Sequence, residues 1–266
     1  MLESLNLSDF DLNPNELETI THHDFKFLII QKLNWNYSQA LRFQEWAVDY
    51  VYQNKNMAIL IFCSHPVVYT LGRGLQKLKE EEEYQLVEFD PTTRERIKDK
   101  LVEVKRGGGL TFHHPDQLVF YPIVKLSDFH LRVHDMMLEV LGLLQSQLEQ
   151  DYFLSDLFIN KGLLGLWKRT DYGNRKLASI GLAVSRFVTY HGMAFNLKKS
   201  PEVSFDLAHF YPCGLPFFAY GNLQDMLDAT SEQKVEVDPA SIFTQFKNRT
   251  LAYLCLKRMP GETTID

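Results

Sequence analysis

The chain is poor in cysteine, with three in 266 residues, and no two of them form a CxxC pair. Cys63, Cys213 and Cys255 are too widely spaced, and odd in number, for a disulfide framework or a cysteine zinc site. Reduced thiols in a cytoplasmic protein are therefore expected. No apolar run reaches the roughly 18 residues of a membrane-spanning helix. The opening residues, MLESLNLSDFDLNPNE, lack a basic stretch followed by an apolar one, so no secretory signal is expected. Positive charge is in the minority, and the net charge of −6 argues against general nucleic-acid binding. Neither the phosphate loop GxxxxGK[ST] nor the dinucleotide pattern GxGxxG is present. His130 and His134 are spaced i, i+4, but Leu131 stands where a zinc protease needs Glu. His113 and His114 have no third ligand at a known spacing, so no metal is expected.

What is present suits one globular domain: 45% of the residues are hydrophobic and 23% charged. Residues 1–24 read as a polar extension, 25–258 as a single domain and 259–266 as a tail. Residues 25–33, 57–62, 102–104, 118–124, 163–167, 177–184 and 193–197 read as strands. Residues 37–52, 130–150 and 240–256 have helical spacing, and Ser38 lies near the start of the first. Residues 75–100, with Glu80 to Glu83 in a row, read as a solvated excursion. The mixture without strict alternation predicts an α/β fold of α+β layering, a mixed sheet packed with helices.

Charge is unevenly spread. Residues 161–199 carry Lys161, Lys168, Arg169, Arg175, Lys176, Arg186, Lys198 and Lys199 against Asp171 alone, a net of +7. These are either solvated loop charges or a docking face for an acidic protein.

Three segments have chemistry-bearing residues. In RGGGLTFH, successive glycines permit either a tight turn or close approach of the backbone to a ligand. Arg106, Thr111 and His113 are poorly suited to a simple core turn. In RKLASIG, Lys176 opens a strand-like run with Ser179 and Gly181; a lysine there is commonly just exposed. In FYPCGLP, Cys213 sits between proline and glycine in a turn, whereas Cys63 and Cys255 fall in apolar runs, as small buried hydrophobes do.

Together SHPVVYTLGRG, RGGGLTFHHPDQLVFYPI, RKLASIGLAV, TYHGMAFNL and PCG resemble, in order, the motifs of the lipoyl(octanoyl) transferases. The likeness covers about residues 25–258, and the helix bearing Tyr37, Ala40 and Gln44 resembles that family's first helix. The resemblance implies a fold like the catalytic domain of biotin and lipoate protein ligases. It implies an octanoyltransferase acting through a thioester on Cys213, with Lys176 lowering the thiol's pKa. Arg106, Gly107, Gly108, Gly109, Leu110, Thr111, Phe112 and His113 would line the acyl site. Ser179, Ile180 and Gly181 would form a second wall, and Gly192, Met193 and Ala194 a third. Octanoyl-acyl carrier protein would be the donor; lipoyl domains of 2-oxoacid dehydrogenases and the glycine cleavage H protein would be acceptors. No cofactor is implied, because a thioester is already activated. The chain differs from the family pattern at His114-Pro115-Asp116, where Gly-Pro-Gly is usual, and at Ser64, where an acid is usual. An ATP-dependent lipoate or biotin ligase and a non-catalytic carrier-binding module are the alternative readings on the same fold.

Overall fold

The first regular strand lies where a polar extension was expected. In the computed structural model, which describes residues 6–73, 95–207, 215–230 and 235–258, β1 (Leu17–His22) pairs antiparallel with β2 (Phe25–Lys32). Residues 17–22, within the stretch expected to be a polar extension, thus form part of the main sheet. LETITH is polar because it is an edge strand with a largely solvated face. Upstream of it, Leu12 is buried and the Phe10 carbonyl accepts from Trp35 Nε1 at 2.8 Å.

α1 (Tyr37–Gln53) starts at an Asn36 cap, whose side chain accepts from the backbone N–H of Ser38 and Gln39. Ser38 lies near the start, as expected, and Asn36 is the capping residue. Its buried face repeats at helical spacing through Tyr37, Ala40, Phe43, Gln44, Ala47, Val48 and Val51. β3 (Met57–Cys63) is buried throughout and runs parallel to β2. β4 (Val68–Leu71), β5 (Leu101–Glu103) and β6 (Leu110–His113) form a small second sheet in the order β5-β4-β6. Most of the excursion expected over 75–100 lies outside the described residues.

β7 (Gln117–Ile123) leads through a 3₁₀ turn to α2 (Val133–Asp151). This helix begins after His130, its predicted start, because the 3₁₀ turn ends there with φ +53°. β8 (Leu157–Asn160), β9 (Gly165–Lys168), β10 (Arg175–Ser185) and β11 (Val188–Asn196) follow as antiparallel neighbours. α3 (Pro201–Leu207), α4 (Leu223–Thr230) and α5 (Pro239–Lys257) complete the chain.

The main sheet has the order β1-β2-β3-β7-β11-β10-β9-β8 and is mixed, as expected. On one face α1 packs against Leu28, Ile30, Ile59 and Ile61. On the other, α2 and α5 pack through Met136, Val140, Leu144 and Phe246 against Phe27, Leu60, Phe62 and Phe120. Gly192 sits at the centre: a Cβ there would lie 2.0 Å from the Phe120 carbonyl oxygen, so no side chain fits. Among the described residues no helix is long and apolar enough to cross a membrane.

The basic residues of 161–199 do not assemble as one face. Lys168 is buried and donates from Nζ to the Ser155 carbonyl at 2.8 Å. Arg186 pairs with Asp49 of α1 at 2.9 Å, and Lys198 with Glu236 at 3.1 Å. Strand alternation sends neighbouring charges to opposite sides, which linear charge counting cannot register.

Candidate active site

β6, β10 and β11 enclose a cavity of about 390 Å³. The loop before β6 forms its rim. Arg106 is buried, donating from Nη2 to the Thr70 carbonyl and hydroxyl, both at 2.7 Å, and from Nη1 to the Gly107 carbonyl at 2.9 Å. Gly108 has φ +81°, a left-handed conformation that glycine adopts without a Cβ penalty. Opposite it, a Cβ on Gly72 would meet the Gly108 carbonyl oxygen at 2.4 Å. The triple glycine thus folds the loop onto its neighbours and exposes backbone to the cavity.

Strand alternation then divides β6. Thr111 and His113 line the cavity together with Arg106, Gly107, Gly108 and Gly109. Leu110 and Phe112, expected there, face an apolar cluster with Tyr69, Ile97 and Val203 instead. The period of two makes that outcome unavoidable once β6 is a strand. β10 contributes Lys176, Ser179, Ile180 and Gly181; β11 contributes Gly192, Met193 and Ala194. Gly181 and Gly192 lie directly opposite each other in the β10–β11 register, so neither carries a side chain into the cavity they line. The site also includes residues to which sequence reasoning gave no role: Tyr37 from α1, Tyr121 from β7, Met137 from α2, Leu163 and Leu164 from the β8–β9 turn, and His191. Tyr121 and Met137 come from apolar elements that look like ordinary core, so no local signal marked them. His191 had one, since a histidine before a glycine inside a strand is unusual.

Lys176 is buried, with its ammonium 5.6 Å from the Trp167 ring centre. The chain that returns after Cys213 runs beside it. Tyr220 bridges Lys176 in parallel, and Gly221 N–H donates to the Lys176 carbonyl at 3.0 Å. Cys213 itself lies outside the described residues. The other two thiols are unsuited to nucleophilic work: burial pushes Cys63 well above the usual thiol range and raises Cys255.

Behind the cavity lies a layer of buried imidazoles and phenols. His65 Nδ1 is 2.7 Å from the Trp35 carbonyl and so donates. Its Nε2 then accepts from the Tyr121 hydroxyl at 2.8 Å. His113 stacks on Tyr37 and donates from Nδ1 to Gln117 Oε1 at 3.2 Å. His191 has φ +58° in mid-strand, held by its N–H donating to Gln44 Oε1 at 2.8 Å; its Nε2 has no hydrogen-bond partner among the described residues. Such backbone strain clusters at working sites.

Burial lowers His65 to about 4 and His191 to about 3, with Arg106 contributing at His191. Burial, then His65 and Arg106, hold His113 well below 6.5, and His114 falls to about 4 through burial. The site is therefore lined by two neutral imidazoles at neutral pH, His113 and His191, with neutral His65 behind it and His114 on the far side of β6. Above pH 6.5 these groups are neutral whether folded or not, and stability is flat. As pH falls below 6.5 the unfolded chain takes up protons that the fold refuses. Each such histidine should cost about 1.4 kcal/mol per pH unit. The loss should run down to about 4 for His65 and His114, and to about 3 for His191. Urea unfolding midpoints should therefore drop steeply from pH 6.5 to 4.5. A flat curve over that interval would mean that the imidazoles protonate in place.

The departures at His114 and Asp116 leave the loop intact, because neither residue has a positive φ and neither position requires glycine. The Asp116 carbonyl accepts from the Leu197 and Lys198 N–H groups at 3.0 and 3.3 Å, joining the loop to the end of β11.

Comparison with known proteins matches this frame. The profile described as the lipoyl protein ligase A/B catalytic domain matches residues 36–240. An octanoyltransferase of Synechococcus elongatus is 31% identical over 236 residues, covering 86% of this chain and 91% of that one. One of Clostridium kluyveri is 30% identical over 194 residues, covering 71% and 75%. A crystal structure of lipoate-protein ligase A bound with ATP superposes with a TM-score of 0.53 at 14% identity, covering 86% of this chain and 84% of that one, which shows a shared fold.

Proposed function

The chain belongs to the lipoyl protein ligase A/B catalytic-domain family and acts as an octanoyltransferase of protein lipoylation, and we propose that it works through a thioester on Cys213. The observation that supports this most directly is the placement of Lys176. It lines the cavity, and the chain a few residues beyond Cys213, at Tyr220 and Gly221, pairs with its backbone.

A free thiol titrates near 8.5, so little is thiolate at neutral pH. The Lys176 ammonium favours the thiolate by opposite charge. Cys213 Sγ attacks the carbonyl of an octanoyl thioester on an acyl carrier protein. The C–S bond to the carrier breaks, and the departing sulfur takes a proton from Lys176. The amine of a target lysine on a lipoyl domain then attacks the enzyme thioester. Its proton passes to neutral Lys176 as the amide forms and Cys213 leaves as thiolate. The octanoyl chain lies along Leu163, Leu164, Ile180, Leu182 and Met193, an apolar wall suited to a saturated chain. Acceptors are the lipoyl domains of 2-oxoacid dehydrogenases and the glycine cleavage H protein, met in the cytoplasm.

Incubating the protein with octanoyl-carrier protein and a lipoyl domain, without nucleotide, should yield the octanoyl amide of the domain, seen as a mass gain on its target lysine. A strict requirement for ATP would move the activity to the ligase class.

A further inference from the structure

A second cavity, of about 230 Å³, opens across β6 from the first. Side chains alternate between the two. His113 and Lys176 line the first, whereas their chain neighbours His114 and Arg175 line the second. The second wall is basic, with Arg175, Lys198 and Lys199 against Asp225 alone. Lys198 is taken up by Glu236 at 3.1 Å, and Asp225 accepts from Asn222 Nδ2 at 2.8 Å. Arg175 and Lys199 make no ion pair among the described residues. Phe217 and Phe218, about half exposed, add apolar surface.

The unusual member is His114. It is 2% exposed, stacks on Phe112, and its Nδ1 has no hydrogen-bond partner among the described residues. Leaving such an atom buried and unsatisfied is costly, and a ligand group can relieve that cost. Burial keeps this imidazole neutral, so it suits an amide rather than a second anion. Between the cavities lies a void of about 10 Å³. It is bounded by Thr111, Ser179 and Ala194 of the first and by Phe112, Asn196 and Tyr220 of the second.

We propose that the second cavity binds the arm of the acyl donor: Arg175 and Lys199 take a phosphate ester, and His114 Nδ1 bonds an amide between that phosphate and the thioester. The assignment rests on the octanoyl-thioester reading above. With the acyl chain in the first cavity, the second, across β6, offers a wall for the rest of the donor. An arm with an amide near the thioester and a phosphate at its far end meets the neutral imidazole and the basic wall in that order.

Acylation of Cys213, followed by intact mass, tests this with three soluble donors: S-octanoyl phosphopantetheine, S-octanoyl pantetheine and S-octanoyl ethanethiol. The phosphorylated arm should raise kcat/KM about tenfold over the unphosphorylated one, mainly through KM and in proportion to one good charge-assisted contact. In Arg175→Gln/Lys199→Gln that advantage should fall toward one. His114→Gly should weaken both arm-bearing donors to a similar extent and leave the ethanethiol ester unaffected. Equal use of both arms by the unmodified protein would overturn the inference while leaving the thioester reading standing. A His114→Gly loss that extends to the ethanethiol ester would show a purely structural role for His114. Failure of every donor to acylate Cys213 would overturn the thioester reading and this inference with it.

Discussion

Replacing Cys213 by alanine is expected to abolish both the acyl-enzyme and octanoyl transfer, by at least about 10⁴-fold, as removal of a covalent nucleophile does in other enzymes. The argument is partly one of exclusion. Cys63 lies in fully buried β3, and burial holds its thiol protonated. Cys255, on α5, is also raised by burial. Neither lines the cavity. Cys63→Ala and Cys255→Ala should therefore keep most of the transfer activity. Cys63→Ala should also lower the melting temperature slightly, because a small void opens in the core. Intact mass after mixing with octanoyl-carrier protein reads the outcome directly. One octanoyl group should appear on the unmodified protein and on these two variants, and hydroxylamine should remove it. Octanoyl transfer by Cys213→Ala at an undiminished rate would rule the thioester out.

Lys176→Met should cost about 10²- to 10⁴-fold in transfer, the range of a positioned acid–base group. Methionine keeps the length of the buried stem beside Trp167 without the ammonium, so the fold should survive. The pH profile separates a catalytic role from a structural one. A nearby cation lowers the thiol's pKa, and its removal raises it. Acylation by Lys176→Met should thus recover as pH rises, along a curve displaced to alkaline pH. A uniform loss at every pH, together with a lower unfolding midpoint, would mean that Lys176 only supports β10. Lys168 provides a contrast. Although it belongs to the same basic stretch, it is bonded to the Ser155 carbonyl and lines neither cavity.

Much of this was legible in the residues. The β-branched runs at 25–33 and 57–62 and the helical spacing at 37–52 gave β2, β3 and α1 nearly to the residue, because buried periodicity is a local property. The edge strand β1 was not legible: a half-solvated strand needs polar residues and reads as loop. β6 was missed as a strand, and with it the fact that Leu110 and Phe112 turn away from the cavity. Residue identities determined the chemistry available: a thiol between proline and glycine, a lysine opening a strand, glycines where backbone must approach closely. Tertiary structure alone decided which of these meet. Tyr37, Tyr121, Met137 and His191 come from four different elements, and the two cavities exist because adjacent residues of β6 and β10 point to opposite sides. Long-range register places one strand's odd residues beside another's, and no pattern within a single segment encodes that distance.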